Sequence, residues 1–381
     1  MTLVHGKWLS NPHTQAVFSA LSVGGAQVLF VGGCVRNALL GVPVSDVDIA
    51  TDAHPETVIE LAKAAGIKAI PTGIDHGTVT LIKGGIPHEV TTFRRDVATD
   101  GRRAVVAFSD TIQDDAARRD FTMNALYAGI DGVVIDPLGG LPDLVARRVR
   151  FIGSATARIQ EDYLRSLRYF RFQAWYGDPN RGFDADALAA IAENLDGLVQ
   201  LSAERVGAEM VKLLNAADPS QSVAVMRQTG VLARILIGAD DRALGPLIHL
   251  ESLTKTAPDA MRRLAALGGA DGLRLSKAQL AKVGRLREAA IGTMGPGELG
   301  YRLKFDEASD ALLLRSALLE QPWNPIDLRA IQVGSGAEFP IKAKDLMPAF
   351  KGPELGQKLA DLTQTWIASG FCLTRDDLLT E

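Results

Sequence analysis

Two aspartates, Asp46 and Asp48, stand two residues apart in the segment Val44–Thr51, where polar and apolar side chains alternate. Such alternation predicts a strand, and side chains at i and i+2 of a strand point to the same face. Two carboxylates held so close repel each other unless a cation lies between them. Because Mg²⁺ takes one or two carboxylates and fills its other positions with water and substrate phosphates, the pair is a candidate magnesium site. An isolated Asp-x-Asp, by contrast, is more often a solvated strand face.

A glycine pair, Gly32 and Gly33, precedes the aspartates and follows the apolar run Val28–Val31. A strand, a tight turn and the start of a helix expose backbone N–H groups that can cradle a phosphate. Arg36, one turn into that helix, can add a charge-assisted contact to the same phosphate. A phosphate cradle followed by a metal-binding pair indicates phosphoryl or nucleotidyl transfer, in which metal ions clamp the attacking and leaving oxygens.

A third carboxylate, Glu89, lies in the apolar-flanked strand His88–Val90. In a site with two metal ions it could complete the ligand set or act as the base for a hydroxyl. A glutamate that simply points outward from its strand is an equally good interpretation, so the sequence leaves the role of Glu89 open.

The elements that must position these residues occupy the first part of the chain. Short apolar runs and alternating segments separated by glycine turns predict a mixed α and β region there. Within it, the polar segment Arg95–Arg103 is expected to be a mobile loop. From about residue 150, strand-like alternation gives way to successive helix-length segments with Gly and Pro breaks. The pattern predicts an α+β head with a small mixed β-sheet, followed by an all-α remainder.

Composition excludes several classes of protein. The chain has 381 residues, 47% of them hydrophobic, which is too long for one core and typical of a folded globular protein. Its formal net charge is −4, so any nucleic-acid surface must be local. Two distant cysteines, the absence of a signal-peptide pattern in Met1–Asn11, and the lack of a membrane-length apolar run favour a cytoplasmic protein over secreted or membrane classes.

Several motifs, in a single order along the chain, resemble those of class II tRNA nucleotidyltransferases and bacterial poly(A) polymerases. The segments that carry the likeness are Gly32–Arg36, Asp46–Thr51, Gly77–Val79, Glu89–Arg94, Arg118–Ala125, Asp136–Pro137, Glu161–Arg165 and Glu204–Glu209. The likeness is dense over residues 28–215 and thin beyond them. Two positions depart from the family pattern: Asn37 stands where Asp is common, and Lys342–Leu346 lacks a usual glycine.

The resemblance implies a domain order and a reaction. It implies a catalytic nucleotidyltransferase head at residues 1–149, a helical neck with a nucleotide-selecting helix at 150–216, a helical body at 217–300 and an RNA-binding helical tail at 301–381. The implied reaction is Mg²⁺-dependent addition of CMP and AMP, from CTP and ATP, to the 3′ end of tRNA without a nucleic-acid template. The partners are then tRNA, ATP and CTP, with neither DNA nor a membrane.

Three alternatives stay open on the sequence alone. A poly(A) polymerase, or a partial enzyme that adds only CC or only A, shares the head motifs. A non-catalytic RNA-binding relative would keep the fold but not the reaction.

The family pattern also implies roles for the segment that holds Arg119, Asp120 and Asn124. The arginine binds the triphosphate, the aspartate links head to neck, and the asparagine belongs to the same nucleotide-binding group. A plain surface ion pair between Arg119 and Asp120 is the competing interpretation. From Arg94 to Arg171 the chain has thirteen arginines and no lysines, which suits planar, forked contacts to phosphate.

Periodicity predicts one helix over Glu161–Tyr176, with a core stripe of Tyr163, Leu167, Phe170 and Ala174. Asp162 and Arg165 then share the opposite side, Arg168 continues that ridge, and Arg171 has rotated further away. All four are candidate nucleotide-binding residues. Tyr169 and Phe172 either stack on a base or pack in the core.

Asp162 and Arg165 suit the selection of C and A. Both bases carry an exocyclic amino donor beside an unprotonated ring nitrogen, which a carboxylate and a guanidinium can match. U and G present a carbonyl beside a ring N–H, so donors and acceptors would face their like. The resemblance implies that this pair acts as an amino-acid template. A solvated ion pair three residues apart on a helix is the competing interpretation.

Overall fold

The computed structural model describes residues 1–99 and 104–380. The chain divides into two compact units, residues 1–235 and 236–381. The first unit holds a mixed sheet with flanking helices, and every element of the second unit is a helix in the described residues. This arrangement confirms the predicted fold class, an α+β head with a mixed sheet followed by helices.

The first unit contains eleven α-helices within the described residues: α1 (Pro12–Ser22), α2 (Gly33–Leu40), α3 (Pro55–Ala64), α4 (Ile112–Ala117), α5 (Leu141–Val145), α6 (Ala155–Glu161), α7 (Leu164–Tyr176), α8 (Ala185–Glu193), α9 (Ala203–Leu214), α10 (Ser220–Gln228) and α11 (Val231–Ile235). Its strands are β1 (Val28–Val31), β2 (Val47–Thr51), β3 (Lys68–Gly73), β4 (Thr78–Lys83), β5 (Ile86–Thr92), β6 (Arg94–Thr99), β7 (Ala104–Phe108), β8 (Tyr127–Ala128) and β9 (Val134–Ile135).

Seven strands form one sheet in the order β3-β4-β5-β2-β1-β8-β9. Strands β2 and β5 run parallel, and the other neighbouring pairs are antiparallel. All four residues of β1 are buried, as an apolar run at the centre of a sheet requires. Helices α1 and α3 pack against strands of this sheet, and Phe18 of α1 contacts Phe30 of β1. Along each strand, the side chains that alternate with those facing α1 and α3 point to the opposite side of the sheet.

The polar segment Arg95–Arg103 is not the loop that its composition predicted. Strands β6 and β7 pair antiparallel over residues 94–99 and 104–108, with an irregularity between Asp96 and Ala98. The backbone hydrogen bonds of a hairpin do not depend on side-chain polarity, so the polar composition of this segment did not indicate the hairpin. Residues 100–103, the rest of that predicted loop, lie outside the described part of the chain.

The second unit holds the helices α12 (Leu244–Thr254), α13 (Ala260–Ala266), α14 (Lys277–Ile291), α15 (Pro296–Leu318), α16 (Ile326–Gly336), α17 (Ala343–Leu346), α18 (Gly352–Ala368) and α19 (Arg375–Thr380). Helix α15 is interrupted at Lys304, whose φ of 66° and ψ of 174° are not helical. A cluster around Leu362, Trp366 and Ile367 forms an apolar core between the last helices. None of the helices in the described residues has the length and hydropathy needed to cross a membrane.

Helices α15 and α16 cross at glycines. A Cβ added at Gly334 would lie closer than 3.0 Å to the carbonyl oxygen of Gly297 on the facing helix. We expect Gly334→Ala to lower the free energy of unfolding of this helix pair by about 3 kcal/mol, because backbone atoms cannot move aside as a flexible side chain can. Hydrogen exchange of the α15 and α16 amides in the full chain measures the loss.

Gly336→Ala is the matched control for this substitution. Gly336 ends the same helix, and nothing lies within 4 Å of the Cβ that alanine would add. Since alanine is a better helix former than glycine, this variant should exchange no faster than the parent chain. Equal exchange in the two variants would contradict the assignment of a close helix crossing at Gly334.

Candidate functional site

Three carboxylates lie together at one edge of the parallel strand pair. Asp46 is exposed and immediately precedes β2, where its carboxylate accepts a hydrogen bond of 2.8 Å from the Ser45 hydroxyl. Asp48 is half-buried within β2, and Glu89 is exposed on β5. The parallel register sets Asp48 directly beside Glu89. Since Val47, Ile49 and Val90 are buried, a rigid and well-packed strand pair presents these carboxylates.

The electrostatics of this cluster favour a cation. Burial, together with the carboxylates of Glu89 and Asp46, raises the pKa of Asp48 to about 6, although Arg119 and Arg36 oppose the shift. Among the described residues, no group of three or more His, Cys, Asp or Glu side chains is close enough to hold a metal ion on its own. The carboxylates of Asp46 and Asp48 are hard oxygen donors, and such donors fit a divalent cation that takes one or two protein carboxylates and completes its shell with water and phosphate oxygens.

The predicted glycine turn joins β1 to α2. Gly32 precedes the helix with a φ of 69° and ψ of −119°, a conformation that L side chains rarely adopt, and Gly33 is the first helical residue. A Cβ at Gly32 would lie 3.5 Å from Nη1 of Arg119 and 3.6 Å from the backbone oxygen of Asn124. The structure thus brings the glycine turn, Arg119 and Asn124 together, as nucleotide binding by all three requires.

A fully buried carboxylate, Asp115 in α4, fixes the orientation of Arg119. Its Oδ2 accepts hydrogen bonds from Nη2 of Arg119 (2.8 Å) and from the Tyr127 hydroxyl (2.7 Å), and its Oδ1 accepts one from Nη2 of Arg118 (2.6 Å). Burial would raise the pKa of Asp115, but the two guanidinium groups bring it well below its usual range. The same contacts raise the pKa of Arg119 against the effect of burial. Arg119 therefore carries a fixed positive charge next to Gly32.

Sequence analysis missed Asp115. The available signal was its spacing: an acid three and four residues before two arginines can reach both of them on one helical turn.

Asp120 connects its segment to α7. Its Oδ2 accepts from Nε (2.7 Å) and Nη2 (2.6 Å) of Arg168, and its Oδ1 accepts from Nδ2 of Asn124 at 3.1 Å. Burial opposes the charged form, yet Arg168 and these hydrogen bonds lower the pKa of Asp120 to about 2. Asp120 is 6% exposed and pairs with Arg168, so the surface ion pair between Arg119 and Asp120 is not what the structure contains. Arg168, a predicted nucleotide-binding residue, uses two of its nitrogens for this link.

The Arg36 side chain is buried next to the glycine turn and is not exposed to solvent. It is 5% exposed, and its guanidinium donates to Oδ1 of Asn124 (2.7 Å), Oδ1 of Asn37 (2.9 Å) and the Tyr176 hydroxyl (2.8 Å). Its Cζ stands 4.0 Å from the centroid of the Tyr176 ring. The structure thus joins Arg36 to the last residue of α7, 140 positions away.

The helix predicted over Glu161–Tyr176 is wrong at its start. Helix α6 ends at Glu161, Asp162 is extended with a φ of −154° and ψ of 105°, and α7 begins at Leu164. Periodicity continued through this point, but a side chain as short as Asp competes with helix propagation by bonding to nearby backbone. Here Oδ1 of Asp162 accepts from the Leu164 amide at 3.1 Å.

The side chains of Asp162 and Arg165 do not pair with each other, although the Arg165 amide donates to the Asp162 carbonyl oxygen at 2.9 Å, so the competing ion-pair interpretation does not describe them. Oδ2 of Asp162 accepts from Nη2 of Arg205 at 2.7 Å. Arg165 bonds to the Glu161 carboxylate at 2.5 Å and to the carbonyl oxygen of Arg118 at 2.8 Å. Each predicted base-selecting side chain is therefore already held by a partner.

Helix α9 supplies partners for Asp162 and for Arg171 of α7. Arg205 on α9 pairs with Asp162, and Glu209 on α9 accepts from Nε of Arg171 at 2.6 Å. Both lie in the segment Glu204–Glu209, which resembles a family motif, although no pairing was predicted for either residue. Arg171, which we predicted to bind nucleotide, is thus turned toward α9.

The aromatic residues of α7 pack in the core. Tyr169 and Phe172 are 0% and 2% exposed, and the Phe121 ring lies 4.7 Å from that of Phe172. Core packing, rather than stacking on a base, is the interpretation that the structure confirms for both. In the predicted stripe, Leu167 and Phe170 are buried, while Tyr163 and Ala174 are only half-buried.

Comparison with known protein families gives two matches. Residues 28–150 match the poly A polymerase head domain. Residues 182–241 match a domain described as the probable RNA and SrmB-binding site of polymerase A.

Similarity to curated proteins extends over most of the chain. CCA tRNA nucleotidyltransferase 1, mitochondrial, of Mus musculus is 34% identical, over 93% of this chain and 86% of that protein. The human protein of the same name is 33% identical over the same shares. A CCA-adding enzyme of Limosilactobacillus fermentum is 30% identical, over 91% of this chain and 90% of that enzyme.

Solved structures show the same likeness. The Bacillus stearothermophilus CCA-adding enzyme in complex with CTP has a TM-score of 0.73 and 27% identity, with 94% of each chain covered. The Thermotoga maritima CCA-adding enzyme complexed with tRNA has a TM-score of 0.65 over 95% of this chain and 94% of its own. At 19% identity, that second likeness concerns the fold alone.

Proposed function

Because this chain belongs to the family of CCA tRNA nucleotidyltransferases, we propose that it adds CMP and AMP, from CTP and ATP, to the 3′ end of tRNA. The observation that carries the proposal is that Arg119 acts electrostatically on Asp48, which lies beside Asp46, and also lies against the Gly32–Gly33 turn. Relatives that cover most of the chain bear the name of that activity. The substrates are then tRNA, CTP and ATP.

Asp46 and Asp48 would hold Mg²⁺ in this proposal. When bound, the ion activates the attacking 3′ oxygen and neutralises the charge that develops on the phosphates. Support comes from the raised pKa of Asp48, which burial and its acidic neighbours cause and a bound cation would relieve. Glu89 keeps two possible roles, as a further metal ligand or as the base that accepts the proton of the 3′ hydroxyl.

The nucleotide triphosphate would bind at the glycine turn. The backbone N–H group of Gly33 and the guanidinium of Arg119 supply donors for phosphate oxygens. The N–H of Gly32 donates to the carbonyl oxygen of Leu126 at 3.0 Å, so Gly32 contributes the turn that brings the chain close to the phosphates. Asn124 lies beside them, and Asp120 positions both Asn124 and Arg168. Oδ2 of Asp115 accepts two hydrogen bonds from the Arg119 guanidinium and holds it in place. Arg119 therefore needs little reorganisation when the phosphates bind.

Asp162 and Arg165 would select the base. A carboxylate accepts from the exocyclic amino group of C or A, and a guanidinium donates to the unprotonated ring nitrogen. Arg205 and Glu161 hold the two side chains before a base arrives, which preserves the geometry that discrimination needs. Arg168 and Arg171 support the same helix through Asp120 and Glu209 in this proposal.

The domain order stays part of the proposal. We keep the head at residues 1–149, the neck at 150–216, the body at 217–300 and an RNA-binding tail at 301–381. A cytoplasmic location is likewise a proposal from the two distant cysteines; relatives in three vertebrates are named mitochondrial.

Incubating the protein with Mg²⁺, CTP, ATP and tRNA that lacks its CCA end tests the proposed function. We expect sequencing of the product to show addition of C, C and A, followed by a stop. A long A tail on tRNA that ends in CC, with ATP alone, would identify a poly(A) polymerase. Addition of only CC or only A would identify a partial enzyme. Binding of tRNA without any incorporation would identify a non-catalytic relative.

A further inference from the structure

Arg36 is a buried cation with no carboxylate among its hydrogen-bond partners in the described residues. Its Nε and Nη2 donate to the Asn37 side chain, Nη1 donates to Asn124, and Nη2 also donates to Tyr176. All three guanidinium nitrogens are therefore in use, and only 5% of the residue is exposed. Burial lowers the pKa of this guanidinium, so neutral oxygens and aromatic rings have to stabilise the charge.

The partners of Arg36 lie on both sides of the proposed nucleotide site. Asn37 and Arg36 itself belong to α2, which starts at the glycine turn, and Asn124 lies against Gly32. Tyr176 is the last residue of α7, the helix whose first turn carries Arg165. The Phe172 ring, one turn earlier in α7, lies 5.0 Å from Cζ of Arg36.

Besides the contact of Arg165 with the carbonyl oxygen of Arg118, helix α7 is attached to the head at two further points. Arg168, near its middle, pairs with Asp120, and Tyr176, at its end, contacts Arg36. Asn124 bonds to both Asp120 and Arg36, so the two attachments form one continuous network. The attachment at Tyr176 lies at the opposite end of α7 from Arg165, so it sets the distance of that end from the glycine turn.

We propose that Arg36 is a positioning residue, not a phosphate ligand: together with Tyr176 it sets the distance and orientation between the phosphate-binding turn and the base-selecting helix. This inference rests on the proposed function, since it concerns how one nucleotide is held at both of its ends. It revises the expectation that Arg36 contacts phosphate directly. Base selection by Asp162 and Arg165 then depends on the contact between Arg36 and Tyr176, which lies at the opposite end of α7.

Tyr176→Phe tests the inference, because it removes the hydroxyl that accepts from Arg36 and keeps the ring. Loss of one hydrogen bond to a charged group should raise KM for both CTP and ATP by about 3- to 10-fold, with kcat little changed. Incorporation of UMP relative to CMP should rise, because α7 no longer holds a fixed place relative to the phosphates. Tyr301→Phe, the same change in the second unit, is the control and should alter neither value.

Arg36→Lys provides a second variant, which keeps the charge but cannot form a planar fork. We expect a larger rise in KM than in Tyr176→Phe and again a loss of discrimination against UTP. If Arg36 bound phosphate itself, Arg36→Lys would raise KM while Tyr176→Phe left KM and the UMP-to-CMP ratio unchanged, which would overturn the inference. A purely structural role would lower the melting temperature and the active fraction, and hence kcat, at constant KM.

These outcomes are separable from failure of the proposed function. If wild-type protein adds no nucleotide to tRNA lacking CCA, the proposed function fails before any variant is made. If wild-type protein is active and Tyr176→Phe matches it in KM and selectivity, only the inference fails.

Discussion

Asp48→Asn should reduce nucleotide incorporation by roughly a thousandfold, a loss of about 4 kcal/mol of transition-state stabilisation. The amide keeps the shape of the side chain but removes the charge that the cation needs on β2. The initial rate of CMP incorporation into tRNA lacking CCA, at saturating Mg²⁺ and CTP, measures the effect. Binding of tRNA should not change, because the substitution alters the chemical step alone.

The same substitution should make the metal-free protein more stable. Asp48 is half-buried beside Glu89, so its carboxylate costs free energy that the neutral amide does not. We therefore expect a higher melting temperature for Asp48→Asn than for wild type at pH 7 in EDTA. A less active and less stable variant would instead indicate that Asp48 supports the fold.

Asp52→Asn is the matched control for Asp48→Asn. Asp52 follows the end of β2, and its Oδ1 accepts a hydrogen bond from the Gln27 amide, which asparagine can also do. This variant should retain wild-type incorporation. Full activity in Asp48→Asn would refute the metal assignment, and a similar expectation applies to Asp46→Asn.

Asp162→Asn should weaken the choice of base. The carboxylate can only accept a hydrogen bond, whereas an asparagine amide can also donate one to the carbonyl oxygen of uracil. With one base contact worth about 1–3 kcal/mol, we expect the UMP-to-CMP incorporation ratio to rise by roughly 10- to 100-fold. Competition between CTP and UTP at equal concentration, read by sequencing the products, gives that ratio.

Arg205→Gln separates base recognition from support of the helix. It removes the 2.7 Å partner of Asp162 but leaves the carboxylate in place. We expect Arg205→Gln to lower the incorporation of CMP and AMP. The UMP-to-CMP incorporation ratio should rise less than it does in Asp162→Asn. An unchanged UMP-to-CMP ratio in Asp162→Asn would exclude Asp162 as a base-selecting residue.

Local patterns sufficed to predict much of the head. The alternation around Asp46 and Asp48 predicted a strand, and β2 spans Val47–Thr51. The glycine pair predicted a turn before a helix, and Gly32 has the positive φ that such a turn uses. These features depend on residues close in sequence, whose backbone preferences and side-chain period act within a few positions.

Local patterns failed where two short-range forces compete. The 3.6-residue period ran unbroken from Glu161 to Tyr176, but the carboxylate of Asp162 bonds to the Leu164 amide and ends the continuous helix. Similarly, polar composition at Arg95–Arg103 predicted a loop, while residues 95–99 pair with β7 as a strand. In each case a hydrogen bond that hydropathy does not encode decided the backbone.

The sequence by itself determined which chemical groups this protein has: a carboxylate pair on a strand, a glycine turn, and arginines suited to phosphates and bases. Only the tertiary structure decided which of these groups pair with each other. Arg168 pairs with Asp120 and Asp162 with Arg205 across 48 and 43 positions, and Arg36 reaches Tyr176 across 140. Such pairs form because packing of the sheet and helices brings distant segments together. A buried charge without a partner is costly in free energy, so each is paired, and local spacing in the sequence does not specify with which residue.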